Sequence, residues 1–198
     1  MMSRPRRSTL AVSCFVLLLT PLGSAPLCGQ ISAGGVGPFH LCDTLARVSS
    51  VFLSARDTTP AEAERSSTLW GRTEFSLSGI AKVVRLAREE WVLFETESLD
   101  SVHVWRIRTN SPTYHSPRGY RVGMSAIDLL NSGAHLEVLP PMGVLYLIAD
   151  SVYFLVDDSS AHAFWDRYDS RMPDSAAAKL LSRNARVKEL LIASPCEE

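Results

Sequence analysis

The chain has 198 residues, 46% of them hydrophobic, with 20 Lys and Arg against 21 Asp and Glu and a formal net charge of −1. The near balance gives no support to a nucleic-acid or anionic-membrane partner, both of which would want a clustered basic excess. The length is that of one ordinary domain with a sizeable core.

Residues 1–29 read as a secretory signal peptide. Arg4, Arg6 and Arg7 precede the apolar run Leu10 to Leu22, which is too short to span a bilayer, and a small-residue region follows. Thr9 stands where a twin-arginine motif wants a bulkier residue, so the general secretory route is expected. Pro26 disfavours cleavage after Ala25, and cleavage after Gly29 leaves a mature domain of residues 30–198. That removes three arginines and no acids, leaving 17 basic and 21 acidic residues and a net charge of −4. The expected destination is the periplasm or the extracellular space, with no membrane span and no lipid anchor. Of the four cysteines, Cys42 and Cys196 survive cleavage, and an even pair in an oxidising compartment is most simply a disulfide. A metal site using Cys42 with His40 and Asp43 is the rival reading, though it lacks a second close ligand pair.

In chain order, Gln30 to Gly37 is glycine-rich and reads as a flexible arm. A phosphate loop there lacks the strand and the glycine spacing it requires. Pro38 to Leu41 is an extended entry, and Thr44 caps a helix to about Ser54 with Leu45, Val48 and Phe52 on its buried face. Asp57 to Ser67 reads as a loop. Strands follow at Thr73 to Leu77, Ala81 to Leu86, Trp91 to Glu97 and Ser101 to Thr109, the last placing Val102 and Val104 opposite His103, Trp105 and Ile107. Asn110 to Arg118 carries Ser-Pro twice, which makes it a loop. Ser125 and Asp128 then begin a second helix with Ala126, Ile127, Leu129 and Leu130 inward, and Gly133 ends it. Strands at His135 to Leu139, Val144 to Ala149 and Ser151 to Asp157, short helices at Ala161 to Tyr168 and Ser175 to Leu181, and a closing strand at Arg186 to Ala193 complete the chain.

The stretch Gly119 to Leu130 echoes Pro38 to Val48: Tyr120 falls on Phe39, Gly123 on Cys42, Ser125 on Thr44 and Leu129 on Val48 at one offset. The expected fold is therefore α+β, a duplicated helix-plus-antiparallel-sheet unit (about 38–110 and 119–193) with its helices on one face of the sheet.

No standard catalytic or metal-binding spelling is present, and neither a metal nor a cofactor is implied. The candidate binding residues are Tyr114, His115, Arg118 and Tyr120 on the proline-stiffened loop, with Arg106 and Arg108 on the strand before it. Aromatic and arginine anchors on a stiff loop suit a protein partner in the cell envelope, recognised through a sheet face and the loop of residues 110–118. The competing reading packs the tyrosines onto the sheet and pairs the arginines with Glu95 or Glu97. A small hydrolase using His103 or His115 is the functional alternative. Trp70, Trp91, Trp105 and Trp165 fit a ligand groove or a core rim, and Asp157, Asp158, Asp166 and Asp169 fit a calcium site or a solvated helix start.

The segment Val122-Gly123-Met124-Ser125-x-x-Asp128-Leu129 resembles the entry motif of a superfamily of small exported bacterial domains, the β-lactamase-inhibitory proteins and the outer-membrane assembly lipoproteins of the BamE/SmpA type. The resemblance implies a strand-turn leading to a helix and an antiparallel sheet, carried twice in the inhibitors. Cys42 stands where that pattern has glycine. The chain is also similar to uncharacterised exported bacterial proteins with a Gly-Pro-x-x-Leu opening and a Ser-Pro-x-Tyr/Phe loop, a resemblance that implies no activity.

Overall fold

The computed structural model describes residues 29–51, 55–58, 80–86, 89–139, 144–169, 171–194 and 196. Residues 1–28 of the expected signal peptide, the strand at Thr73 to Leu77 and Phe52 lie outside these residues.

The arm expected at the start is instead a small antiparallel sheet of β1 (Ile31–Ser32), β2 (Gly35–Val36) and β3 (Phe39–His40). Its apolar residues supply the reason: Ile31, Val36 and Phe39 are all buried in the main core, and the Ile31 N–H donates to His115 O at 2.8 Å. Gly35 belongs to this packing, because a Cβ there would lie 1.9 Å from the Phe39 carbonyl oxygen. Glycine answers a steric demand here, with no phosphate involved.

An eight-stranded antiparallel sheet forms the body of the molecule. Its strands are β4 (Arg56–Thr58), β5 (Ala81–Arg85), β6 (Trp91–Thr96), β7 (Val104–Thr109), β8 (His135–Leu139), β9 (Val144–Ala149), β10 (Val152–Val156) and β11 (Val187–Ala193). The spatial order is β4-β5-β6-β7-β11-β10-β9-β8, so two four-strand meanders run from opposite edges and meet where β7 pairs with β11. Residues 57 and 58, expected in a loop, lie in the edge strand β4.

Helices α1 (Leu45–Val51), α2 (Ala126–Asn131), α3 (Asp158–Trp165) and α4 (Asp174–Ala177) add Leu45, Val48, Ala126, Leu129, Ala161, Phe164 and Ala177 to one core cluster. Alternate residues of one sheet face fill the rest, among them Val92, Phe94, Leu145, Leu147, Val152, Phe154, Leu190 and Ile192. The Ser125 hydroxyl accepts from the Asp128 N–H at 3.3 Å, as the capping pattern requires, and Gly133 takes φ +97° beyond the helix end. Helix α3 starts at Asp158, three residues earlier than expected, because Asp157 caps it by accepting from the Ser160 N–H at 3.0 Å.

One alternation differs from expectation. Val104 and Ile107 face the same core, whereas strict period two places them on opposite faces. Thr96 pairs with Val104 and Glu95 with Arg106, so Trp105 is an extra residue, and this bulge reverses the parity along β7. A second bulge sits between β10 and β11, where Val156 pairs with Val187, Leu155 pairs with Glu189, and Lys188 is the extra residue.

The turns that feed α1 and α2 are closed by the same main-chain bonds. The Cys42 N–H donates to Val104 O at 2.7 Å and the Val104 N–H to Asp43 O at 2.8 Å. In the second turn the Gly123 N–H donates to Val187 O at 2.8 Å and the Val187 N–H to Met124 O at 2.9 Å. Cys42 has φ +69° and Gly123 φ +87°. The Leu45 N–H reaches Val102 O, and the Ala126 N–H reaches Ala185 O, each at 3.0 Å. A disulfide joins Cys42 to Cys196, with Cα atoms 5.5 Å apart, tying the entry turn of α1 to the chain just past β11.

Gly35→Ala is expected to cost at least about 2 kcal/mol, because main chain and not a yielding side chain opposes the new methyl. Gly34→Ala, whose Cβ meets nothing within 4 Å, is the control and is expected to stay within about 0.5 kcal/mol. Urea unfolding of both variants checks the pair.

Candidate functional site

The second face of the sheet carries a charged row out of water. Arg106 donates to both carboxylate oxygens of Glu95, from Nε at 2.6 Å and from Nη2 at 3.0 Å. Arg108 Nε donates to Glu189, and its Nη1 lies 3.8 Å from Glu95. Arg108 is 0% exposed, Glu189 1%, Glu95 2% and Arg106 4%. Two positive and two negative groups thus offset one another across β6, β7 and β11, the arrangement that makes buried charge tolerable. Burial works to lower the Arg108 pKa, but the charges of Glu189 and Glu95 outweigh it and raise the group above its ordinary value. Burial also pushes up the Tyr146 hydroxyl on β9, with the Glu189 charge acting the same way. Trp91 lies under the Arg108 guanidinium at 5.8 Å and Trp105 under that of Arg106 at 4.9 Å.

Arg106 and Arg108 are therefore not surface anchors; charge pairing across neighbouring strands draws both inward. The same correction applies to the two tyrosines. Tyr114 is fully buried and Tyr120 is 7% exposed, both within the main core cluster, with the Tyr120 ring edge-on to Phe154 at 6.0 Å. Their rings are apolar enough to be worth burying, and they pull the loop down onto the molecule.

His115 and Arg118 are exposed on the loop beside Pro112, Thr113 and Pro117, and Arg121 is exposed just beyond it. Ser116 organises the main chain around them. Its N–H donates to Tyr120 O at 2.9 Å, its carbonyl accepts the Gly119 N–H at 2.8 Å, and its hydroxyl donates to Asp150 at 2.8 Å. Asp150 and Ser151 form the β9–β10 hairpin turn with φ +56° and +59°, the conformation a two-residue hairpin demands. From there Asp150 also accepts from Arg118 Nε at 2.6 Å, while Arg118 sits 5.2 Å from the Tyr120 ring centre. Burial works to raise the Asp150 carboxyl, but the bonds from Ser116 and Arg118 outweigh it and hold the group below its ordinary value.

The other candidates are dispersed. His103 is exposed on the chain leading into β7, and His115 Nδ1 lies 3.1 Å from Ser116 O. Cys42 is spent in the disulfide, so it offers no thiolate to the metal site weighed with His40 and Asp43. Among the described residues no three His, Cys, Asp or Glu side chains group as metal ligands. Asp43 instead accepts from the His40 N–H at 2.9 Å and from Arg47 Nη1 at 2.6 Å. In the acidic stretch, burial works to raise Asp157, but bonds from the Arg186 N–H, the Ser159 hydroxyl and the Ser160 N–H hold it low, which marks it as a cap. Trp91 is buried, Trp105 and Trp165 are half-buried, and Trp70 lies outside the described residues.

Sequence reasoning missed Glu189 and Asp150. Glu189 is the lone acid inside the apolar run of β11, and an isolated charge there calls for a partner. Asp150-Ser151 between two apolar runs spells a hairpin turn, but nothing local points to a loop 32 residues earlier in the chain.

The molecule is thus an α+β domain in which one antiparallel sheet is covered by short helices. No family model matches the sequence and no curated protein matches it, so the β-lactamase-inhibitor and BamE/SmpA resemblance gives it no named family. Its fold is similar to that in the crystal structure of the uncharacterized protein YfeY from Escherichia coli, with a TM-score of 0.52 over 83% of this chain and 99% of that one, at 11% identity. That likeness shows a shared fold. Among the described residues no helix is long and apolar enough to cross a membrane.

Glu189→Leu leaves Arg108 without its nearest counter-charge and is expected to cost about 3–5 kcal/mol; adding Arg108→Met is expected to recover at least half of that loss. Equal stability of the single and double variants in urea would argue against the row as a coupled unit. Tyr114→Ala is expected to cost about 3–5 kcal/mol as a core truncation, whereas Arg118→Ala is expected to leave the thermal midpoint near that of the unaltered protein. A midpoint loss for Arg118→Ala as large as that for Tyr114→Ala would make Arg118 structural.

Proposed function

We propose that the chain is exported under a signal peptide of residues 1–29 and that its mature part, residues 30–198, is a non-enzymatic binding domain. It is made of two copies of one helix-plus-sheet unit, about 38–110 and 119–193, and recognises a protein of the cell envelope through the loop of residues 110–121. Support for the two copies comes from the mirrored order of the meanders, the bulge each carries in its last strand, and the main-chain bonds common to the turns at Cys42 and Gly123. Support for export comes from the basic and apolar pattern of residues 1–29, together with a disulfide, which persists in oxidising compartments.

The observation that carries the binding reading is the locked loop. Buried Tyr114 and Tyr120, and Ser116 clasped to Asp150, hold the main chain while His115 and Arg118 point outward. A loop ordered before it meets a partner loses little conformational entropy on binding, and arginine is a frequent interface anchor. The binding surface is narrower than the alternation of Arg106 and Arg108 suggests, since those two lie inside the sheet's buried row.

A photo-reactive residue at Thr113, exposed at the loop tip, is expected to cross-link one envelope protein in the native host, and Arg118→Ala with His115→Ala is expected to cut the yield by about tenfold, as loss of a hot spot does. Undiminished cross-linking by the double variant, or turnover in a broad hydrolase screen, would overturn the reading.

A further inference from the structure

We propose that the Cys42–Cys196 bond is a redox-controlled latch on the N-terminal segment Gln30–Val51, and that exchange with a protein dithiol releases this segment while the second half stays folded.

The turn at Gly123 shows that these main-chain bonds close without sulfur. Glycine accepts φ +87° there, and its missing Cβ would have met nothing within 4 Å. The turn at Cys42 makes the same bonds with a side chain at φ +69°, a conformation that costs an L residue about 1–2 kcal/mol. The first turn is thus the strained one, and it is the one with a covalent tie. Of the two cysteines, Cys42 is the exposed residue and Cys196 the half-buried one, so Cys42 is the end at which exchange is placed.

Exchange begins when a thiolate of the dithiol attacks Cys42 Sγ and Cys196 leaves as thiolate. The second thiol of the partner then attacks the mixed disulfide and frees Cys42. The partner supplies both electrons and departs as a disulfide, and the two cysteines take up protons as thiols.

Besides the bond, the segment is held by the buried side chains of Ile31, Val36, Phe39, Leu45 and Val48 and by main-chain bonds to His115, Val102 and Val104, while its three short strands pair with one another in a sheet of their own. Its strands β1, β2 and β3 are two residues each, and α1 buries only Leu45 and Val48 among its described residues. A helix this short has no stability of its own in water. With the bond closed, an opened segment stays pinned beside the end of β11, so opening gains little chain entropy. With the bond reduced, that restraint is gone, and opening of residues 30–51 becomes the lowest-energy excursion. It uncovers the core side chains against which Phe39 packs, beginning with Phe94, whose ring centre lies 5.1 Å from that of Phe39.

Amide hydrogen exchange on the full mature chain, with dithiothreitol as the probe dithiol, tests the latch. Reduction is expected to speed exchange of Leu45 to Val51 by about 100-fold and that of Leu129 to Asn131 by less than about tenfold. A Cys42→Gly/Cys196→Ser variant, which lacks the bond but relaxes the turn, is expected to exchange α1 more slowly than Cys42→Ser/Cys196→Ser. Equal acceleration in both helices, which includes global unfolding on reduction, or acceleration in neither, would overturn the proposal. Identical rates in the two variants would remove the strained turn from it.

Discussion

β7 and β11 pair at the middle of the sheet, and that pairing takes four charged side chains out of water with it. Arg106 and Arg108 come from one strand, Glu95 from its neighbour, and Glu189 from the other half of the chain. Arg108 spans the junction, contacting Glu189 on one side and approaching Glu95 on the other. Arg108 pairs with Leu191 and reaches Glu189 diagonally, so a slip of β11 by one residue would carry Glu189 to the helical face and take its carboxylate away from Arg108. The row therefore penalises wrong registers more than it rewards the right one, and the junction of the two meanders depends on it.

The same logic explains how much was legible in the amino-acid order. Strands with a clean apolar stripe, such as Leu145-Leu147-Ala149 and Val152-Phe154-Val156, stood out because one face is buried and period two survives. The Ser125 cap and Gly133 stop are local spellings of local geometry. Parity was lost at Trp105, since a bulge inserts one residue and nothing in the spelling Val-Trp-Arg marks it. The opening strands were lost because Gly34, Gly35 and Gly37 look like slack, while the reason for Gly35 is a carbonyl four residues on.

At the candidate site, chemistry was easier to name than to place. Tyr114, His115, Arg118 and Tyr120 lie on one loop, but half of that set faces the core and half faces solvent. Ser-Pro spacing announces a stiff loop and leaves open which way each side chain turns. The sorting comes from Ser116 and from Asp150 on a distant hairpin, a long-range pairing of the kind that local reasoning misses. The likeness to YfeY shows a shared fold at very low identity, and a shared fold carries no function with it.

The Cys42–Cys196 bond spans 154 residues of sequence while lying close to both ends of the described chain. This has a mechanical consequence. Tension applied to the two ends runs through residues 29–42, across the sulfur atoms, and out at residue 196. The sheet, α2, α3 and the charged row lie on the closed ring between the cysteines and bear no load. Stretched between residues 29 and 196, the oxidised chain would lengthen only by residues 29–42, and the reduced chain by nearly the whole contour between those points.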